Sequence, residues 1–331
     1  MVSINERQIH NIANSISNTS VKKMHLEREF LSCEGRIETK LMAYMICSAI
    51  CHQTHDLIKI DENLIGWQYI ESVFTNLIKE GDKLLDFNYL MEHSIEEIAL
   101  YLEQLFPKSN TENVTALDNS IDRASLLKDT VLTLDENNFN NLYDFFNKYS
   151  ENKVIDVKRV YSELGTLKAF SDPYKKKSTL LLKLITQSGL FELDKNESLQ
   201  PMMDYHMQRL LLRTGCLTID DQDLEKKLKG RITMVSDDMI RKTCIEAIKK
   251  ISLLSNKSIF DLDDIFWSIG RSCCKDKILC VDGVCNKTPC TFTQLTNIKE
   301  HSLCIFESCC LGKVDVKLRK YWEPNVETEF Y

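Results

Sequence analysis

A chain of 331 residues with 43% hydrophobic and 27% charged side chains can bury one large core or two moderate ones, which excludes a disordered polymer. Ten Gly and five Pro are too few for an all-β chain, which must turn roughly every 8 to 12 residues, so the composition points to helices. The formal net charge of -7 argues against a uniformly basic surface for duplex binding, although a local basic face can coexist with an acidic whole.

The opening Met1-Val2-Ser3-Ile4-Asn5-Glu6-Arg7 lacks the basic and then apolar run of a secretory signal. No window approaches the roughly 18 apolar residues that cross a bilayer, so a cytoplasmic protein with no membrane partner is expected. Apolar residues at helical spacing predict helices over 12–31 and 37–51, the second apolar on nearly all sides and therefore buried. Further helical patterns cover 67–78, 95–106, 138–149 and 157–170, while the polar stretch 107–120 predicts a loop. Helical periodicity returns over 175–189, 205–214, 237–254 and 262–270, with Ser236-Asp237-Asp238 offering a cap and acidic first turn. The tail 317–331 has no readable pattern.

Thirteen cysteines in a reducing compartment are poorly explained as disulfides, and eight of them fall between Cys273 and Cys310. Cys274, Cys280, Cys285 and Cys290 lie in one short segment broken by Gly283 and Pro289, where a loop can wrap around one centre. Four thiolates suit either Zn(II) or an iron-sulfur cluster, and Cys273, Cys304, Cys309 or Cys310 could replace one ligand. Asp204 precedes a helical run, where a carboxylate serves either as a simple N-cap or as a fixed charge in a site. The Lys175-Lys176-Lys177 start of another helix reads as an anion-binding patch or as the place of a reactive amine.

The segment Phe266 to Cys274, an apolar helix followed by Gly270-Arg271 and then cysteines, resembles the helix-hairpin-helix DNA glycosylases of the endonuclease III and adenine mismatch glycosylase type. Pro201-Met202-Met203-Asp204-Tyr205-His206-Met207-Gln208-Arg209 is similar to that family's Val-Asp-x-His-x-x-Arg segment. Cys51-His52-Gln53-Thr54 is similar to the Gln-x-Thr that ends its early core helix. The intervals between cysteines differ from the family's, and its Leu-Pro-Gly-x-Gly hairpin is absent.

The resemblance implies an all-α fold of two helical lobes. A central lobe with the hairpin would span 40–185, and 1–39 plus 186–331 would form a second lobe carrying the aspartate and the cysteine loop. It further implies hydrolysis of the N-glycosidic bond of a modified or damaged base in DNA, a flipped-nucleotide substrate and no obligate protein partner. In those terms Asp204 is the catalytic carboxylate and Lys177 a Schiff-base nucleophile. Gln53, Lys175, Lys176, His206 and Arg209 would meet the nucleic acid, and the cysteine loop would hold a [4Fe-4S] cluster, with Zn(II) as the alternative. Two other functions fit the same residues: a nucleoside or nucleotide N-glycosidase of the queuosine-salvage type, and a non-catalytic nucleic-acid-binding scaffold with structural zinc.

Overall fold

The structure is a computed structural model that describes residues 1–22, 28–111, 114–194 and 198–331. Helices dominate, as the scarcity of Gly and Pro implies, and the strands among the described residues are only two or three residues long. No helix among the described residues is long and apolar enough to cross a membrane. The chain forms two compact units, residues 1–23 with 200–327, and residues 24–199 with 328–331.

In the unit formed by 24–199 and 328–331, the helix Ile37–Ile50 is the core, with every residue from Thr39 to Ile50 buried. An apolar side chain points in every direction around it, so it needs neighbours on all sides. Trp67–Glu80, Ser120–Glu136, Leu142–Lys148 and Lys176–Gln187 supply them.

The helix Ser120–Glu136 is not visible in the periodicity of the sequence, because its buried face includes Arg123 and Thr130 beside Leu126, Leu127, Val131 and Leu134. Arg123 is there to close the core helix. Its guanidinium donates to the carbonyls of Ile50, His52 (3.1 Å) and Asp118 (2.8 Å). The Ile50 and His52 carbonyls lie at or just beyond the end of Ile37–Ile50, where the helix itself offers no donors. Arg123→Met should therefore leave buried acceptors unpaired and cost about 3 kcal/mol or more, read as a lower denaturant midpoint.

In the unit formed by 1–23 and 200–327, Val2–Ile4 pairs antiparallel with Leu217–Ile219. Glu6–Ile16 packs against Asp238–Ser255 through Ile9, Ile12, Ala13 and Ile16, all fully buried. Burial of each isoleucine stabilises the unit by about 1.5–3 kcal/mol. The helix expected over 12–31 ends at Ile16. The Ser17-Asn18-Thr19-Ser20 run offers the backbone competing hydrogen bonds, Val21 bridges to Thr296, residues 23–27 lie outside the described residues, and a separate short helix follows at Glu29–Ser32.

Tyr205–Thr214 lies against Ile259–Ser272 and Asp238–Ser255. Two glycines permit the closest approaches. A Cβ at Gly270 would sit 2.5 Å from the His206 carbonyl oxygen, and one at Gly312 would strike the Arg213 carbonyl. Gln8 completes this frame, its Nε2 donating to the carbonyls of Thr214 and Cys309, both at 2.8 Å.

Candidate metal centre

The helix Ile259–Ser272 starts at the Ser258 N-cap and ends at Cys273, whose N–H still bonds the Ile269 carbonyl. The chain then makes a short turn through Leu279–Asp282, stopped by Gly283 in the left-handed region at φ 71°. Cys290 opens the next helix, Thr291–Leu295, and Phe292 of that helix lies 5.3 Å from the His301 ring, fixing its plane.

This path brings Cys273, Cys285, Cys290 and His301 together with all four ligand atoms within 4.8 Å of one another. The Sγ atoms of Cys273 lie 3.6 Å from Cys290 and 3.8 Å from Cys285. His301 Nε2 lies 3.4 Å, 3.5 Å and 3.7 Å from Cys290, Cys285 and Cys273. A tetrahedral ion with bonds of about 2.3 Å to sulfur and about 2.0 Å to nitrogen separates its ligands by about 3.8 Å (S to S) and 3.6 Å (S to N). The donor set and its spacing fit a single thiophilic ion.

Without metal, the thiols share protons. A hydrogen bond from Cys273, with a further one from His301, outweighs burial and holds the Cys290 thiol down at about 3. The same bond to Cys290, then burial, pushes Cys273 up.

The sequence quartet is divided. Cys285 and Cys290 join the group, whereas Cys274 and Cys280 do not, and Cys273 and His301 take their places. Cys273 caps the helix while Cys274 leaves it, so the two neighbours face different surroundings. His301 follows Cys290 by eleven positions, and a Cys-x4-Cys pair followed by a histidine within one irregular loop was the available signal.

Cys274 and Cys280 instead face Cys304 and Cys310. Burial first, and then its neighbours Cys274, Cys310 and Cys280, raise the Cys304 thiol. Burial, then Cys274, takes Cys310 up to about 12.

Asp204 is the N-cap of Tyr205–Thr214, its carboxylate accepting from Met207 N at 2.9 Å, and it is 8% exposed. Arg271 lies close to Asp204 and Tyr205, and burial lowers its guanidinium to about 10 against the pull of the Asp204 carboxylate. Burial, then Arg271 and Lys275, lowers Lys287 to about 7, so three basic side chains share one neighbourhood and one of them gives up its charge near neutral pH.

Burial and Arg209, followed by Arg271, Lys275 and Lys287, drive His206 well below the usual imidazole range, so it is neutral. Arg209, expected at the nucleic acid, is fully buried and serves the metal loop. It donates to Cys274 O (3.0 Å), Gly270 O (2.6 Å) and the Glu323 carboxylate (2.5 Å), and Nη2 lies 3.1 Å from His206 Nδ1. Arg209→Met should strand these acceptors and weaken metal retention by unpinning the backbone around Cys273. The expected cost is about 3–5 kcal/mol, and the change should appear as faster loss of a bound metal ion to a chelator.

The remaining sequence candidates lie in the other unit, where the start of Lys176–Gln187 meets the end of Ile37–Ile50. Lys177 is fully buried and its Nζ donates to Ala49 O at 2.5 Å, with His52 Nδ1 at 3.3 Å. Burial, with further lowering by Lys176 and Arg123, brings the amine down to about 7. Lys176 Nζ lies 3.3 Å from Cys51 Sγ. Lys175 takes φ 60° at the N-cap, and Gln53, at φ 46°, donates its N–H to Tyr331 O at 3.2 Å. The sequence segments around Gln53 and Lys177 are therefore neighbours, and the lysine amine closes a helix end.

No protein-family model matches the chain, and no curated protein matches it. The fold and the site define a mainly helical protein with a three-cysteine, one-histidine group able to hold a metal ion.

Proposed function

We propose that the protein is an N-glycosidic-bond hydrolase acting on DNA that carries a modified or damaged base, with Asp204 as its carboxylate and Zn(II) at Cys273, Cys285, Cys290 and His301. The observation that carries this reading is Asp204 at the N-cap of Tyr205–Thr214 beside Arg271, with Lys275 and Lys287 among the basic groups that reach the neighbouring His206. Cleavage of the bond leaves an oxocarbenium-like sugar, which a fixed carboxylate stabilises, and a flipped nucleotide brings phosphates that need cations. Local positive charge answers the overall charge of -7.

Zinc is favoured because four ligands at tetrahedral spacing leave no open position, the mark of a structural site. Such an ion would hold the loop that presents Lys275 and Lys287. The reading uses Asp204 without Lys177, since that amine is fully buried on the Ala49 carbonyl. Base release without strand cleavage follows.

The test is release of free base from a panel of duplexes with modified bases, together with the salt dependence of duplex binding. Duplex affinity should fall linearly with the logarithm of salt concentration, and Lys275→Gln should flatten that slope by about one, the loss of one phosphate contact. A shallow slope with hydrolysis of free nucleotides would move the substrate to the nucleoside class. Duplex binding with no base release from any member of the panel would leave the binding scaffold.

A further inference from the structure

The basic run from Lys226 to Arg231 serves neither the metal group nor the proposed reaction. It ends the helix Gln222–Gly230, and residues 316–325 of the same unit pack beside it. Trp322 donates its N–H to Leu228 O at 3.2 Å. Asn325 holds the loop after the helix, its Nδ2 donating to Arg231 O (3.1 Å) and its carbonyl accepting from Met234 N (2.8 Å). Burial, then Glu225 and Asp315, takes Tyr321 up to about 12, so Gln222–Gly230 and the short helix Val316–Arg319 both border that ring. The exposed Lys226, Lys317 and Lys320 therefore stand on neighbouring segments.

Pairing divides these cations. Lys227 meets Asp223 at 2.7 Å and Lys229 meets Glu225, whereas Lys226, Arg231, Lys317 and Lys320 have no carboxylate within ion-pair distance among the described residues. Cations outnumber anions over residues 222–231 and again over 313–322, although the whole chain carries -7. The result is a local positive field, which attracts a polyanion.

Trp322 gives that field an aromatic centre. Three guanidiniums lie over its ring, Arg231 at 4.3 Å, Arg213 at 4.7 Å and Arg209 at 5.7 Å. Arg209 and Arg213 are buried and pinned to backbone carbonyls, Arg213 through Nε to Tyr321 O and Nη1 to Lys275 O, both at 2.7 Å, so they fix the indole. Arg231 differs: it is exposed, and its side chain makes no hydrogen bond among the described residues. Its backbone takes φ 53°, a left-handed conformation that glycine adopts without steric cost. An arginine in that place sets an unpinned guanidinium on a fixed indole.

Proteins take up a single nucleic-acid strand by stacking its bases on aromatic rings along a cationic track. We propose that Trp322, Arg231, Lys226, Lys317 and Lys320 form a binding surface for single-stranded nucleic acid, in which a base stacks on the indole and phosphates meet the arginine and the lysines. An exposed cation–π contact is weaker than base stacking, so the base displaces Arg231 from the ring and the released guanidinium turns to the adjacent phosphate. A duplex keeps its bases stacked on one another and gives the indole no partner. The inference needs neither the reaction nor the metal ion proposed above.

The test is binding of an oligothymidylate of about twelve nucleotides to the full chain, followed by tryptophan emission and by the anisotropy of an end-labelled strand. The strand should quench Trp322 among the three tryptophans, and Trp322→Leu should abolish the quench and weaken binding about 10-fold, the loss of one stacked base. Arg231→Gly suits the left-handed backbone, so it should keep the melting temperature at or above wild type while weakening binding. Lys226→Gln and Lys320→Gln, at exposed positions, should each flatten the log-salt slope by about 0.7, one phosphate contact on a single strand. Wild-type protein that does not bind the strand, binds it without quenching, or binds the matching duplex or heparin more tightly overturns the proposal. So does strand binding whose affinity and salt slope survive both Arg231→Gly and Lys320→Gln.

Discussion

Cys285→Ser should remove the ion from the three-cysteine, one-histidine group and lower the melting temperature by about 10 °C. The scale follows from two considerations. Zinc-finger peptides, whose folding depends wholly on the metal, draw about 10–16 kcal/mol from it. Here the loop hangs on a helical frame with its own core, in which Phe266, Phe292 and Phe306 are all fully buried, so only part of that energy is lost. About 3–5 kcal/mol, at roughly 2–4 °C per kcal/mol for a unit of this size, gives the stated fall. Calorimetry with and without a chelator checks it. The chelator should lower the wild type to the variant's melting temperature and leave the variant itself unchanged. Cys244→Ala, which alters a fully buried thiol away from the cluster, should retain the metal, and a melting temperature insensitive to chelation in the wild type would remove the structural role of the site.

How much of this was legible depends on the range of the interaction. Ile37–Ile50 is plain in the sequence because its apolar residues surround the axis, and Asp204 is plain because an N-cap is a local device. Ser120–Glu136 is hidden because Arg123 and Thr130 are buried for reasons that lie on other helices: Arg123 closes a helix end some seventy positions earlier. Arg209 looked like a surface contact for the same reason. Its acceptors, Gly270 O, Cys274 O and Glu323, are brought to it only by packing.

The metal group divides along the same line. Clustering alone marked the region as metal-binding, and Cys285 and Cys290 are in the group. Choosing between Cys273 and Cys274 requires knowing where a helix stops, since adjacent residues present their thiols to different surroundings. His301 lies beyond the cysteine run, and only the fold of the Thr291–Leu295 turn returns it to the thiols.

Asp204→Asn separates the two roles of the aspartate. Asn caps helices as well as Asp does, so Met207 N keeps its acceptor and the melting temperature should change by less than about 0.5 kcal/mol in equivalent stability. The charge that faces Arg271 is lost, however, and with it the stabilisation of the sugar cation that the proposed reaction would develop. Loss of one fixed electrostatic group in a reaction of this kind lowers the rate by about 100- to 1000-fold, and base release in single-turnover assays should fall on that scale. Asp204→Ala should lose both properties, with a cap cost of about 1 kcal/mol added to the same rate defect. The pairing of these two variants is decisive because a purely structural aspartate makes the opposite prediction. Asn would then behave as wild type in every assay, and only Ala would differ, by an amount that tracks its loss of stability.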